Sequence, residues 1–130
     1  MIKIDIDNKT RDSIDVANVT DIVKGTLAKF DIKNALLEIL FVGAEEISSL
    51  NTQYRQINHA TDILSFPQIS IAGQKSRNLG SLVICLEVVD EKRENLDDVI
   101  KHGLLHLLGF DHEVDECSWR KEATKINCNL

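Results

Sequence analysis

Three of the four histidines in this 130-residue chain fall within one short segment, HGLLHLLGFDH (102–112). His102 and His106 are four residues apart, so a helix would present both imidazoles on one face. Gly109 follows where a left-handed residue would end that helix and reverse the chain, which would bring His112 to the same point. Three neutral imidazoles with an open fourth position are typical of catalytic zinc. The segment therefore predicts one zinc ion per chain, or another divalent transition metal, held by these three histidines.

Leucines fill most of the other positions of this segment, which predicts that the helix is central and buried. Buried imidazoles need hydrogen-bond partners. Asp111 is the first candidate to orient one of the histidines, and Asp98, one turn before His102, is the second. Ordinary core or surface histidines are the alternative, and the glycine at the turn favours the metal site over it.

The same spacing occurs in the metzincin peptidases, but two parts of their active site are missing here. Their first histidine is followed by a glutamate that acts as the general base, and this chain has Gly103 there. They also need a downstream methionine, whereas the only methionine here is Met1. The segment predicts a metal cage without an obvious base, which argues against a peptidase of this kind.

The charge of the chain excludes a broad electrostatic binder of nucleic acid. Its 15 basic and 21 acidic residues give a net charge of -6, whereas such binders are strongly basic. The segment 51–82 is the exception, because its basic residues outnumber its single acidic residue, Asp62. A nuclease with one small positive cleft therefore remains compatible with the composition.

The start of the chain, MIKIDIDNKT, lacks the continuous apolar run of a signal peptide, and no segment is apolar enough for a membrane span. The three cysteines are odd in number and have no CxxC spacing. We therefore expect free thiols, a cytoplasmic location and no membrane partner.

Hydrophobic periodicity predicts the elements that position these residues. Alternating isoleucines favour a half-buried strand at the start, and apolar residues at helical spacing follow it. A polar loop between two short apolar strands favours an antiparallel hairpin. The expectation is an α+β fold, with one domain over 1–130 and a mixed four-stranded sheet packed by about four helices. The predicted strands are 2–6, 35–42, 63–67 and 79–86, and the predicted helices are 13–30, 44–57, 95–108 and about 115–126.

Two further segments accompany the histidines. LNTQYRQINHATDILSFP (50–67) contains Leu-Asn-x-x-Tyr-Arg followed by Thr-Asp-x-Leu-Ser-Phe-Pro, and LGSLVIC (79–85) precedes the histidine segment. Together they resemble the YbeY family of bacterial metal-dependent endoribonucleases over most of 35–112. The resemblance implies a single-strand endoribonuclease that processes ribosomal RNA, especially at the small-subunit 3′ end, and acts in ribosome quality control.

The same resemblance implies the site and the partners. It gives zinc as the metal, His102, His106 and His112 as its ligands, and Arg55 as the functional arginine. The implied partners are precursor ribosomal RNA and the ribosome or its proteins. Ser81 departs from the family pattern, which usually has an aspartate at that position.

Arg55 suits phosphodiester cleavage because a guanidinium stays charged and grips phosphate with a planar fork. A metal ion would polarise a phosphoryl oxygen beside it. A solvated surface arginine is the alternative for Arg55. Asp62 and Ser65 could position substrate or the metal-bound water, or could cap a turn and begin a strand. The attacking group stays open between water and the RNA 2′-hydroxyl.

Two other functions remain open at this point. One is a non-catalytic ribosome-binding factor whose metal mainly orders the fold. The other is a metallohydrolase of a small substrate or peptide, against which the missing glutamate and methionine argue.

Overall fold

The computed structural model describes residues 1–67 and 77–109 of the chain. Four strands and four helices lie within these ranges, and they confirm the predicted α+β class with its mixed four-stranded sheet. The predicted terminal helix (about 115–126) lies outside the described residues. In chain order the elements are β1 (Ile2–Asn8), α1 (Val16–Lys29), β2 (Ala35–Phe41), α2 (Ala44–Arg55), β3 (Ile63–Pro67), β4 (Arg77–Ile84), α3 (Leu86–Glu91) and α4 (Leu96–Leu107).

The sheet has the strand order β1-β2-β4-β3. β2 is parallel to both β1 and β4, whereas β3 is antiparallel to β4, with Ser65 paired to Leu82. This arrangement confirms the predicted hairpin between the third and fourth strands. β3 forms one edge of the described sheet, and β1 forms the other.

The two faces of the sheet bury separate hydrophobic clusters. The two-residue period of β2 sends Ile39 to one face and Leu40 to the other. α1 and α4 cover the first face, here named the α4 face, and α2 packs on the second, the α2 face. The α4-face cluster includes Val23, Leu27, Leu37, Ile39, Leu82, Ile84, Ile100 and Leu104, and the α2-face cluster includes Val42, Ile47, Leu64, Val83, Cys85 and Val88.

A bulge in β4 determines which of its side chains reach the α2 face. Consecutive residues of β2 pair with Asn78 and Gly80, so Leu79 is an extra residue. Gly80 has a φ of 110°, a conformation that glycine adopts without steric penalty. The bulge keeps Leu79 in the core and turns Ser81 to the α2 face.

Local capping determines where the first two helices begin and end. Asp15 accepts a hydrogen bond from the Asn18 N–H at 3.1 Å, so α1 begins later than the predicted start at residue 13. α2 ends at Arg55, slightly before the predicted end, because Gln56 is left-handed with a φ of 58°. No helix in the described ranges is long and apolar enough to cross a membrane.

Candidate functional site

α4 carries two of the predicted metal ligands on one face. His102 and His106 lie four residues apart on this helix, and Asp98 lies one turn before them. His106 is exposed, whereas His102 is half-buried and its Nε2 atom is shielded from solvent. Most leucines of the helix are buried, as the sequence predicts for a central helix. The histidines therefore lie at the border between the buried face of α4 and solvent.

Both ends of α4 are defined by polar backbone contacts. Asn95 starts the helix, because its side chain accepts hydrogen bonds from the N–H groups of Asp97 and Asp98, at 2.8 and 3.4 Å. Asn18 of α1 donates to the Asp97 carboxylate at 3.0 Å, which ties the two helices together. Gly109 follows the helix with a φ of 97°, which confirms the left-handed residue predicted there.

Gly103, between the two histidines, lets α4 approach the sheet closely. A β carbon at this position would lie 2.6 Å from Cδ1 of Ile63 and 2.8 Å from Cδ2 of Leu82. These distances are well inside the optimal separation of two carbon atoms, so a side chain here would force the helix or the core to move. A glutamate at this position would therefore have to displace the side chains of Ile63 and Leu82.

The two imidazoles suit a zinc ion, which readily binds histidine nitrogen. Packing of α4 on the sheet holds their backbone in place. Within 1–67 and 77–109, no three His, Cys, Asp or Glu side chains come together as a complete metal site. The predicted third ligand, His112, and the predicted orienting residue, Asp111, lie outside these ranges.

Ser65 lies on the α4 face of edge strand β3. Ile63 packs against Gly103 on that face, and Ser65 is two residues further along the strand. Its partner across the hairpin is Leu82, which also packs against Gly103. The half-buried Ser65 is thus on the same side of the sheet as the helix that carries the histidines.

Arg55 lies on the other side of β3. It is the last residue of α2 and is exposed. α2 reaches β3 through its neighbour Tyr54, whose ring is 5.3 Å from that of Phe66 in an edge-to-face arrangement. The helices that carry Arg55 and the histidines therefore pack on opposite faces, with β3 between them. Within residues 1–67 and 77–109, the structure therefore does not place Arg55 and the histidines on the same face of the sheet.

Asp62 caps the beginning of β3. Its Oδ1 atom accepts hydrogen bonds from the Ile63 N–H at 2.9 Å and from the Thr61 hydroxyl at 3.1 Å. Its carbonyl accepts from the Cys85 N–H at 2.9 Å, where β4 meets α3. The structure shows these capping contacts of Asp62, and its role toward substrate or the metal-bound water stays a prediction.

Glu94, between α3 and α4, forms a carboxyl pair with Asp62. The hydrogen bond to Asp62 raises the pKa of Glu94 to about 7, burial and the charge of Asp62 add to this, and Lys92 opposes it. Burial raises the pKa of Asp62, but the Glu94 hydrogen bond, the charge of Lys92 and the capping hydrogen bonds together leave that pKa below its ordinary value. The two carboxyls thus share a proton below neutral pH. No motif predicts this pair, because its members are far apart in the chain.

A hollow of about 340 Å³ lies on the α2 face rather than beside the histidines. Its wall is mainly apolar, with Tyr54 among its side chains, and contains two carboxylates. One of these, Glu38, accepts a hydrogen bond from the Ser81 hydroxyl at 3.2 Å. The residue that departs from the family pattern therefore has a hydrogen-bond partner on the neighbouring strand.

Comparison with known proteins identifies the family. A family model described as Endoribonuclease YbeY matches residues 5–127. The chain belongs to the endoribonuclease YbeY family. This confirms the resemblance carried by the histidine segment and by the segments at 50–67 and 79–85. In this YbeY family member, Gly103 packs against Ile63 of β3, and the Ser81 hydroxyl donates a hydrogen bond to Glu38.

Individual YbeY relatives match nearly the whole chain. The proteins named Endoribonuclease YbeY from Aliarcobacter butzleri and Nautilia profundicola are 41% and 38% identical to it, over 95% of this chain and 89% and 88% of their own lengths. A Thermotoga maritima protein solved in solution matches with a TM-score of 0.59 and 25% identity, over 95% of this chain and 87% of its own. The YbeY relationship thus extends beyond the motifs to the fold.

Proposed function

We propose that this YbeY family member is a metal-dependent endoribonuclease that cuts single-stranded RNA during ribosomal RNA processing in the cytoplasm. Maturation of the small-subunit 3′ end and ribosome quality control are its proposed settings, with the ribosome or its proteins as partners. The observation that carries the proposal is the pair His102 and His106 on one face of α4, beside edge strand β3. Membership of a family named for endoribonuclease activity supports it.

His102, His106 and His112 would hold the metal ion, for which zinc is the proposed identity, with Asp111 orienting one of the imidazoles. When bound, such an ion supplies positive charge that polarises a phosphoryl oxygen. The close packing at Gly103 holds the first two ligands at a fixed depth above the sheet. The chain would therefore contribute a donor pair on a firmly packed helix, with no carboxylate base between them.

Arg55 has the remaining task of stabilising negative charge on the phosphate. Its guanidinium is always charged and can donate two parallel hydrogen bonds to phosphate oxygens. Because α2 and α4 pack on opposite faces of β3, we expect an RNA strand that contacts both Arg55 and the histidines to pass over this edge strand. Ser65, on the α4 face of β3, would then offer its hydroxyl to the crossing backbone.

The experiment is a cleavage assay with purified protein and precursor RNA that contains the small-subunit 3′ end. We expect cleavage of single-stranded RNA by the zinc-loaded protein, loss of cleavage with a chelator, and recovery when zinc is returned. His106→Ala should not recover with zinc. Lys24→Ala, an exposed change on α1, serves as the surface control.

Two outcomes would contradict the proposal. Cleavage that persists both with chelator and in His106→Ala would indicate a contaminating nuclease. A zinc-loaded protein that binds ribosomes but cuts no RNA would favour the non-catalytic ribosome-binding factor instead.

A further inference from the structure

Residues 56–60, the first part of the connection between α2 and β3 and here named the 56–60 loop, are attached to α2 by a buried asparagine. Asn51 is only 2% exposed, and its Nδ2 atom donates a hydrogen bond to the His59 carbonyl at 3.0 Å. The Asn51 carbonyl accepts from the Ile57 N–H at 3.3 Å. One residue inside the helix therefore holds two points of the loop.

A second residue of α2 and the backbone itself add to this attachment. The Thr52 hydroxyl lies 2.9 Å from the Ser48 carbonyl and 3.3 Å from the Ile57 carbonyl. Gln56 is left-handed, which turns the chain back along the helix directly after Arg55. The loop is thus folded onto the last turn of α2 and does not extend freely into solvent.

The attachment presents an exposed histidine in a defined orientation. The ring Nδ1 atom of His59 lies 3.0 Å from the Ala60 carbonyl, and the His59 carbonyl is the group that Asn51 binds. With Nδ1 donating to the Ala60 carbonyl, Nε2 is the nitrogen left to face solvent. The loop therefore fixes both the backbone and the ring of His59, although its side chain is exposed.

Stability alone does not account for an asparagine at position 51. Its Oδ1 atom is buried, and no donor within 1–67 and 77–109 lies within hydrogen-bond reach of it. A buried acceptor without a donor destabilises a fold, whereas a leucine of similar size would add to the apolar cluster that contains Ile47 and Leu64. The amide is retained where an apolar side chain would pack better.

We propose that Asn51 is a positioning residue, which fixes the 56–60 loop so that Arg55 and His59 approach the RNA backbone in a defined geometry. This inference rests on the proposed function. The 56–60 loop directly follows Arg55 and contains His59, so a shift in the loop would displace both of these residues. Misplacing a binding group by about 1 Å is sufficient to lower a rate by about 100-fold.

The test compares substitutions at two buried residues of α2, Asn51 and Ile47. Asn51→Leu removes the side-chain hydrogen bond to the His59 carbonyl and the unsatisfied acceptor together, so we expect the midpoint of thermal unfolding to stay within about 3 °C of wild type or to rise. Its kcat/KM for precursor RNA should fall at least about 10-fold, mostly through kcat. Ile47→Val should show the reverse pattern, with a midpoint lowered by about 4 °C and an unchanged kcat/KM.

Hydrogen exchange of the loop amides gives a readout that does not depend on catalysis. In Asn51→Leu the amides of residues 57–60 should exchange faster, and in Ile47→Val they should not. Wild-type kcat/KM in a folded Asn51→Leu protein would overturn the positioning role, as would unchanged exchange in the loop. A wild-type protein that cuts no RNA would remove the proposed function, while the exchange result would still decide whether Asn51 orders the loop.

Discussion

Gly103 packs so closely against Ile63 that a β carbon on the glycine would lie 2.6 Å from the isoleucine Cδ1 atom. This contact sets the depth of α4 above the edge strand and hence the position of His102 and His106. We expect Gly103→Val to lower the free energy of unfolding by about 2 kcal/mol, because the added methyl groups meet a filled core. Urea denaturation measures the change.

Gly25 provides the matched control for that substitution. It lies in α1, is exposed, and has no atom within 4 Å of the position that its β carbon would take. Gly25→Val should therefore leave stability unchanged or raise it by about 0.5 kcal/mol, since valine has the higher helix propensity. Equal effects at the two positions would show that α4 is not held by close contact at Gly103.

The difference in exposure between the two histidines predicts different behaviour without metal. His106 is exposed, so His106→Ala should change the stability of the metal-free protein by less than about 0.5 kcal/mol. The same variant should lose the rise in unfolding temperature that zinc produces in the wild type, because a ligand stabilises only the state that binds it. Thermal unfolding with zinc and with chelator measures both quantities. A zinc-dependent rise that survives in His106→Ala would contradict its role as a ligand.

Arg55 is exposed at the end of α2, so its removal separates catalysis from stability. Arg55→Ala should lower kcat for precursor RNA by about 100-fold, the scale of losing one charge-stabilising group, with stability and zinc content unchanged. Arg55→Lys should recover only part of the activity, because an ammonium lacks the planar fork. Quench-flow cleavage and zinc analysis make the comparison. Normal cleavage by Arg55→Ala would end the proposed role.

Ser81 faces Glu38 across neighbouring parallel strands, at a position where the family usually has an aspartate. Ser81→Asp should lower stability by up to about 1 kcal/mol at neutral pH, because it replaces a hydrogen bond by two like charges. Adding Glu38→Gln should restore most of that loss, and high salt should restore part of it. Urea denaturation of the single and double variants measures the coupling. Strictly additive effects would mean that the two side chains do not interact.

The carboxyl pair predicts a pH dependence of stability. The pKa of Glu94 is about 7 in the folded chain against an ordinary value of 4.5, so the folded chain keeps a proton that the unfolded chain loses. This contribution is full below about pH 4.5 and disappears as the pH rises through about 7. Because Glu94 is exposed, solvent screening limits it to about 1 kcal/mol. Asp62 acts in the opposite sense, but only below its ordinary value of 3.8.

Glu94→Gln isolates this effect, because its amide donates to Asp62 at every pH. The variant should be more stable than wild type above about pH 7 and should show a flatter stability profile between pH 5 and pH 8. Denaturation at a series of pH values measures both. A variant with the same pH profile as wild type would show that the pair does not share a proton.

Local patterns were sufficient to predict the hairpin, the histidine helix and the turn at Gly109. They do not predict α3, because Leu86–Glu91 is short and directly follows the apolar run of β4, where no change of period is visible. They also place the start of α1 too early, at residue 13, because Asp15 caps this helix.

Relationships between distant segments could not be predicted from periodicity. The placement of Arg55 and the histidines on helices at opposite faces of β3 depends on strand order, which no local pattern encodes. The carboxyl pair depends on the loop before α4 folding back to the start of β3. The sequence shows that Gly103 stands where the metzincins have a glutamate base, but only the structure shows its close contact with Ile63.

The strand order also indicates where a label or tether can be attached without disturbing RNA binding. β1 is separated from β3 by β2 and β4, so three strand spacings, about 14 Å, lie between the two edges. Lys3 is exposed on β1. A fluorophore or a surface tether attached at position 3 would leave both helices beside β3 open, so this edge of the sheet is the place to anchor the protein for single-molecule measurements of cleavage.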